Sequence, residues 1–298
     1  MREMRKSSWA FFVLCALILT SCLDNNHGLD TALQMQKDLA TIDEYIALNN
    51  IDAYQDKSGI RFSITELGKS GFPPRVDQQV KVKYTGKFLN GTVFDPGPEA
   101  TGVLGTFIVG WQYGIAVLPP GTKATLYLPS PLGYGSSQYN SIPANSILTF
   151  DVQLTEVVTS NAEKARLASD IDVIDSFLES HSVDAVKDTT GVRYVITDPG
   201  VGPMPTLYQK VKFSYVGQAF SGGTEFFNGG SQPSEIFDSR PIDFIDGITV
   251  GLTKIAVGGK IKIYVPSGLA FGPTENTQTS LPANSIVIYD ITLEEIVF

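Results

Sequence analysis

The chain contains two copies of one pattern, and this limits its architecture more than any other feature. Thr41-Ile-Asp-Glu-Tyr-Ile-Ala-Leu-Asn-Asn-Ile-Asp-Ala-Tyr, with the Ser58-Gly-Ile-Arg-Phe that follows, corresponds to Val173-Ile-Asp-Ser-Phe-Leu-Glu-Ser-His-Ser-Val-Asp-Ala-Val and Thr190-Gly-Val-Arg-Tyr at a constant offset of 132. Ser141-Ile-Pro-Ala-Asn-Ser-Ile returns as Ser280-Leu-Pro-Ala-Asn-Ser-Ile at an offset of 139. The second copy therefore carries extra residues, and the Gly/Ser-rich stretch from Ser221 to Ser234 is where they are expected. A period this long is outside the range of small stacked repeats, and 298 residues divide naturally into two domains.

Each copy opens with a helical pattern and continues with strands. Leu33, Leu39, Ile42, Tyr45, Ile46 and Leu48 recur at roughly helical spacing, with Asp30 or Thr31 as the expected N-cap. In the second copy Leu167, Ile171, Ile174, Phe177 and Leu178 mark the same apolar face over Ala165–Leu178. Such a helix packs on its own domain or bridges domains or subunits. Downstream the period becomes two, in Val80–Tyr84, Ala124–Leu128 and Ile147–Leu154, and again in Val211–Tyr215, Lys260–Val265 and Ile286–Leu293. The expected class is α+β, with antiparallel sheets.

The N-terminus reads as a processing signal. Arg2, Arg5 and Lys6 precede an apolar stretch of 11 residues, Trp9–Leu19, too short to span a bilayer. Leu19-Thr-Ser-Cys22 resembles a bacterial lipobox, which implies acylation of Cys22. Acyl chains there would hold the protein at a membrane. The only other cysteine, Cys15, lies inside the apolar stretch, so no disulfide is available after residue 22. The organisation expected is a signal peptide at 1–21, a linker at 22–29, one domain at 30–160 and a second at 161–298. The net charge of −9 and the lack of a long basic run argue against nucleic acid as a partner. His27 and His181 are too far apart, and too poorly accompanied, to suggest a metal site.

Six short motifs between the strands carry the chemistry: Val82-Lys-Tyr84-Thr-Gly86, Leu89-Asn-Gly91-Thr-Val-Phe94-Asp95, Ile108-Val-Gly110-Trp111, Gly133-Tyr134-Gly135, Ile142-Pro143 and Phe150-Asp151. In this order and spacing they resemble the FKBP-type peptidyl-prolyl cis-trans isomerases. The resemblance extends over Ser58–Val158 and, more loosely, Thr190–Phe298. It implies two tandem domains, each an antiparallel sheet wrapped around a short helix and each preceded by an N-terminal helix. It also implies an aromatic hollow with Trp111 as its floor and Tyr84, Phe94, Ile108, Tyr134, Ile142 and Phe150 as walls and rim. Asp95 and the Tyr134 hydroxyl would stand beside the substrate amide, and the Ile108 N–H would face a substrate carbonyl. The segment Val103–Ile108 is shorter than in the family, so a wall aromatic is missing or Phe107 replaces it.

An X-Pro bond isomerises slowly because amide resonance makes its C–N bond stiff. A dry hollow disfavours the planar amide relative to the twisted one, and a few placed donors hold the twisted form. Such chemistry requires no cofactor or metal. The partners implied are X-Pro segments of unfolded or exported proteins and, through Cys22, the cell envelope. The outer membrane is expected, on its periplasmic or surface side. A dimer is an open possibility. The alternative function is a non-catalytic chaperone or protein-binding lipoprotein of the same fold.

The second copy departs from the motifs. Tyr215 matches Tyr84, while Leu252 is expected in place of Trp111, Thr249 of Ile108, Phe271 of Tyr134 and Tyr289 of Phe150. The Phe-Asp pair corresponds either to Phe226-Phe227, which keeps the repeat offset, or to Phe237-Asp238, which keeps the dipeptide. A weak or inactive second site is expected.

Overall fold

The computed structural model describes residues 25–68, 71–220, 225–229, 237–277 and 280–297. The expected signal segment and Cys22 lie outside them. The first unit runs α1 (Asn25–Leu48), β1 (Tyr54–Gln55), β2 (Arg61–Glu66), β3 (Gln79–Phe88), β4 (Val93–Asp95), β5 (Ala100–Val103), α2 (Val109–Ile115), β6 (Lys123–Leu128) and β7 (Leu148–Val158). The second repeats this order as α3 (Asn161–Ser180), β8 (Val186–Lys187), β9 (Arg193–Asp198), β10 (Lys210–Ala219), β11 (Glu225–Gly229), β12 (Phe237–Ser239), α4 (Asp246–Leu252), β13 (Lys260–Val265) and β14 (Val287–Val297). Each unit is an antiparallel sheet of seven strands, ordered β1-β2-β6-β7-β3-β4 and β11-β10-β14-β13-β9-β8, with β5 and β12 paired to β3 and β10. The α+β class follows from the sequence as expected.

Alternation along the strands decides which face is covered. Val80 and Val82 in β3, Leu126 and Leu128 in β6 and Leu148, Phe150, Val152 and Leu154 in β7 are all buried beneath α2. Two glycines let that helix sit close to the sheet. A Cβ on Gly110 would lie 2.5 Å from Leu128 and one on Gly114 2.7 Å from Leu126. Gly247 and Gly251 repeat the arrangement in α4, against Val265 and against Ile291 and Ile263.

The preceding helices pack on their own sheets through duplicated polar latches. In α1, buried Asp38 accepts from Ser130 N (2.8 Å), Ser130 Oγ (2.5 Å) and Gln34 Nε2 (2.6 Å). In α3, buried Asp170 accepts from Ser267 N (2.8 Å) and Oγ (2.5 Å), with Arg166 at 3.1 Å in the place of Gln34. The pairs Arg61–Asp43 and Arg193–Asp175, both 2.7 Å, form a second duplicated tie. The helix α1 begins earlier than expected, so residues 25–29 are helical rather than linker and Asp30 and Thr31 are interior. Ser160 caps α3 in a reciprocal box with Glu163.

The two units are joined by a packed seam. Leu207, Tyr208 and Ile242 of the second unit belong to the first unit's core, while Phe72 of the first packs against the second core. The Tyr208 ring lies 5.0 Å from Tyr54 and 5.9 Å from Phe62, and its hydroxyl donates to the Val117 carbonyl at 2.7 Å. Arg240, ion-paired with Asp243 at 2.8 Å, stands 6.0 Å over the Phe62 ring. Arg75 reaches Glu163, on the first turn of α3, at 2.8 Å.

Candidate active site

The residues expected to line the hollow of the first unit gather where α2 meets the sheet. Ile108 is the N-cap of α2, with extended backbone (φ −56°, ψ 148°), and its carbonyl accepts from Trp111 N at 2.9 Å. As a cap residue, its own N–H falls outside the helical hydrogen-bond ladder. One turn on, Trp111 points down onto the sheet and is 4% exposed. Its indole meets Tyr84 edge-on (5.0 Å, 82°) and Phe150 likewise (5.4 Å, 87°), while Phe94 meets Phe150 at 5.7 Å and 88°. Edge-to-face contacts of this kind satisfy the ring quadrupoles and fix the rings' positions. The Trp111 Nε1–H is buried without an acceptor among the described residues, an unmet donor within the aromatic cluster.

Exposure differs across the cluster. Trp111, Ile142 and Phe150 are buried, whereas Tyr84, Phe94, Asp95, Ile108 and Tyr134 are half-buried around them. Asp95, the last residue of β4, is oriented on both carboxylate oxygens: Tyr84 Oη donates to one at 2.8 Å and Gly97 N to the other at 3.0 Å. Burial, and then the bond to Asp95, push the Tyr84 hydroxyl up to about 12, so it remains a donor throughout the neutral range. Tyr134 is also raised, by burial and then by Tyr139 and Asp95.

All eight expected residues converge on this one cluster. Tyr84, Phe94, Trp111 and Phe150 meet ring to ring, Asp95 joins them through Tyr84, and Ile108, Tyr134 and Ile142 pack on the same core. The structure settles the place of Phe107 and adds three residues that the sequence did not single out for a role. Phe107 lies 5.3 Å from Trp111 and supplies the wall ring left in question. Tyr139 stacks on Tyr134 at 4.3 Å and 6°, and its backbone exchanges hydrogen bonds with Ile142. Gly86 and Gly97 are required by contact, since a Cβ on the first would lie 2.7 Å from the Phe94 ring and one on the second 2.3 Å from Tyr84. Only their place in the motif Tyr84-Thr-Gly86 and in Pro96-Gly97-Pro98 hints at this in the sequence.

The second unit's correspondence differs from that expected. Both short helices start after Phe-Ile, at Phe107-Ile108 and Phe244-Ile245, and both carry glycines at their second and sixth positions. Ile248 therefore stands in place of Trp111 and Ile245 in place of Ile108, rather than Leu252 and Thr249. The close glycine contacts, which fix the helix on the sheet, set this register. Strand pairing also resolves the Phe-Asp ambiguity. Gly86 pairs with Asp95 and Gly217 with Phe227, so the Asp is replaced, while Phe237-Asp238 lies in β12, where Phe237 pairs with Phe213 as Ala100 pairs with Val82. Phe237 stacks on Tyr215 at 5.1 Å and 20° and packs against Phe244. A ring thus occupies the space that a single methyl group takes in the first unit.

Comparison with known proteins agrees with this geometry. The family described as FKBP-type peptidyl-prolyl cis-trans isomerase matches residues 72–155 and 202–294. This chain belongs to the FKBP family. Over 121 residues it is 38% identical to the isomerase FkpA of Aeromonas hydrophila, covering 39% of this chain and 45% of that protein. Over 107 residues it is 37% identical to the FKBP-type 22 kDa isomerase of Escherichia coli, covering 34% and 52%. The chain thus spans about half the length of these FKBP relatives. The crystal structure of FkpA from Escherichia coli is 27% identical, with a TM-score of 0.37, over 45% of this chain and 64% of that one.

Proposed function

We propose that the chain is a peptidyl-prolyl cis-trans isomerase acting on X-Pro segments of exported proteins, with its activity in the first domain and its anchor at Cys22. The clustering of Tyr84, Asp95, Trp111 and Phe150 through ring contacts and the Tyr84–Asp95 hydrogen bond is the observation that supports the reading. In this reading the prolyl ring lies on Trp111 between Tyr84 and Phe150, out of water. Removing solvent disfavours the planar, more polar amide, and the twisted carbonyl, Asp95 and the Ile108 N–H form the polar contacts that remain. No bond to the protein forms, so the residues act by shape and electrostatics. The second domain has lost the Asp and the Trp and has Phe237 stacked on Tyr215, which supports a non-catalytic role for it.

The test is isomerisation of a short X-Pro peptide by the full chain. A rate well above the uncatalysed one is expected, with Asp95→Ala and Trp111→Ala each lowering kcat/KM by about tenfold or more. Wild-type protein that leaves the peptide at its uncatalysed rate would overturn the enzyme reading. If that protein still suppresses aggregation of an unfolded client, the chaperone alternative stands in its place.

A further inference from the structure

The seam between the domains is not a symmetric contact of two similar surfaces; it is assembled from positions where the copies differ. On the first domain the receiving patch is Tyr54, Phe62 and Val117. Strand and helix register place Val186, Tyr194 and Lys254 at the same positions in the second. There Val186 is 52% exposed, and Lys254 bonds to Asp188 at 2.9 Å while lying 5.9 Å from the Tyr194 ring. On the second domain the inserted residues are Tyr208, Arg240 and Ile242, where the first has Asp77, Val103 and Gly105. Val103 is 41% exposed and Asp77 faces solvent, so the first domain has no comparable knob.

The contact falls on the exit of α2. The segment Ala116–Leu118 leaves the helix that carries Trp111, and the Tyr208 hydroxyl binds its Val117 carbonyl in a buried setting. The same ring packs on Phe62, which is fully buried in the core beneath α2. Arg240 covers the Phe62 face, and its Nη1 is enclosed without an acceptor among the described residues. An arginine buried this way is retained by packing against the ring rather than by full hydrogen bonding.

We propose that Tyr208 of the second domain is a positioning residue for the first domain's site, holding α2 and therefore Trp111 in place through Val117 and Phe62. The inference rests on the isomerase reading, and it gives the eroded second domain a defined task as the buttress of the active one. A displacement of the floor by a fraction of an ångström changes the fit to a twisted amide more than it changes overall stability.

The test uses the full chain with Trp9→Phe, which leaves Trp111 as its single indole. The readouts are kcat/KM on an X-Pro peptide and the ¹⁵N–¹H resonance of the Trp111 indole. Tyr208→Ala is expected to lower kcat/KM by about tenfold and Tyr208→Phe by a smaller factor, with the indole resonance moved in both. Val201→Ala, at a position 84% exposed, is expected to change neither. If Tyr208→Ala fails to fold, Tyr208→Phe, which keeps the ring, decides. Unchanged activity and resonance in folded variants overturn the inference, as does lost activity with an unmoved indole. A wild-type chain without activity overturns the isomerase reading alone, because the indole shift still reports whether Tyr208 sets the floor.

Discussion

At the scale of single residues, the aromatic cluster depends as much on what is absent as on the rings that form it. Gly86 lies in the middle of β3, where a side chain would be ordinary, yet its missing Cβ is the space into which Phe94 leans. Gly86→Ala is expected to push the Phe94 ring out of register, lower kcat/KM by about tenfold and cost about 1–3 kcal/mol of stability, measured by peptide isomerisation and urea unfolding. That the eight expected residues would lie together was legible because they fall in short motifs whose order fixes which turns and strands meet. The substitution of Trp111 by Ile248 was not, because the copies drift from an offset of 131 at Tyr84 and Tyr215 to 137 at Ile108 and Ile245, and chain counting alone misplaces a seven-residue helix. The signal that places it is the pair of glycines that touch the sheet, and that signal has meaning only once the strands are in position.

At the scale of elements, the duplicated latches show how a helix outside the sheet is made part of the domain. Asp38 and Asp170 are each 3% exposed, and each satisfies both the N–H and the hydroxyl of a serine that opens the turn leading to Tyr134 or Phe271. Asp38→Ala leaves the buried Ser130 donors without their acceptor. It is expected to destabilise the first domain by about 2–4 kcal/mol, read as a lowered denaturation midpoint, with Asp38→Asn recovering part of the loss. The helices themselves were legible from apolar spacing. Their ties were not, because a buried Asp among apolar neighbours looks like a solvated position until its partner, 92 residues away, is known.

At the scale of the whole molecule, the seam makes stability depend on pH in two opposing directions. Burial opposes ionisation of Glu163, but Arg75, Ser160 and Gln78 together hold its carboxyl down to about 2, below the ordinary 4.5. Its contribution is therefore complete above about pH 4.5 and is lost as pH falls toward 2. Asp246 behaves in the opposite sense. Burial pushes its carboxyl up to about 7 from an ordinary 3.8, with Arg75 only partly opposing, so the folded state loses stability as pH rises from about 4 through 7. A melting-temperature maximum near pH 4 is expected, with Asp246→Asn flattening the decline above it, measured by calorimetry across pH 3–9. None of this was legible in the sequence, where the tandem repeat gives no sign that Tyr208 of one unit enters the core of the other. The unequal halves also limit growth of the array. The second domain has a lysine where the first has Val117, so an additional copy placed after it would meet a charge instead of a greasy socket. A partner docking there by the same geometry would face Lys254, held by Asp188 at 2.9 Å, and a Val in its place would restore the socket the first domain offers.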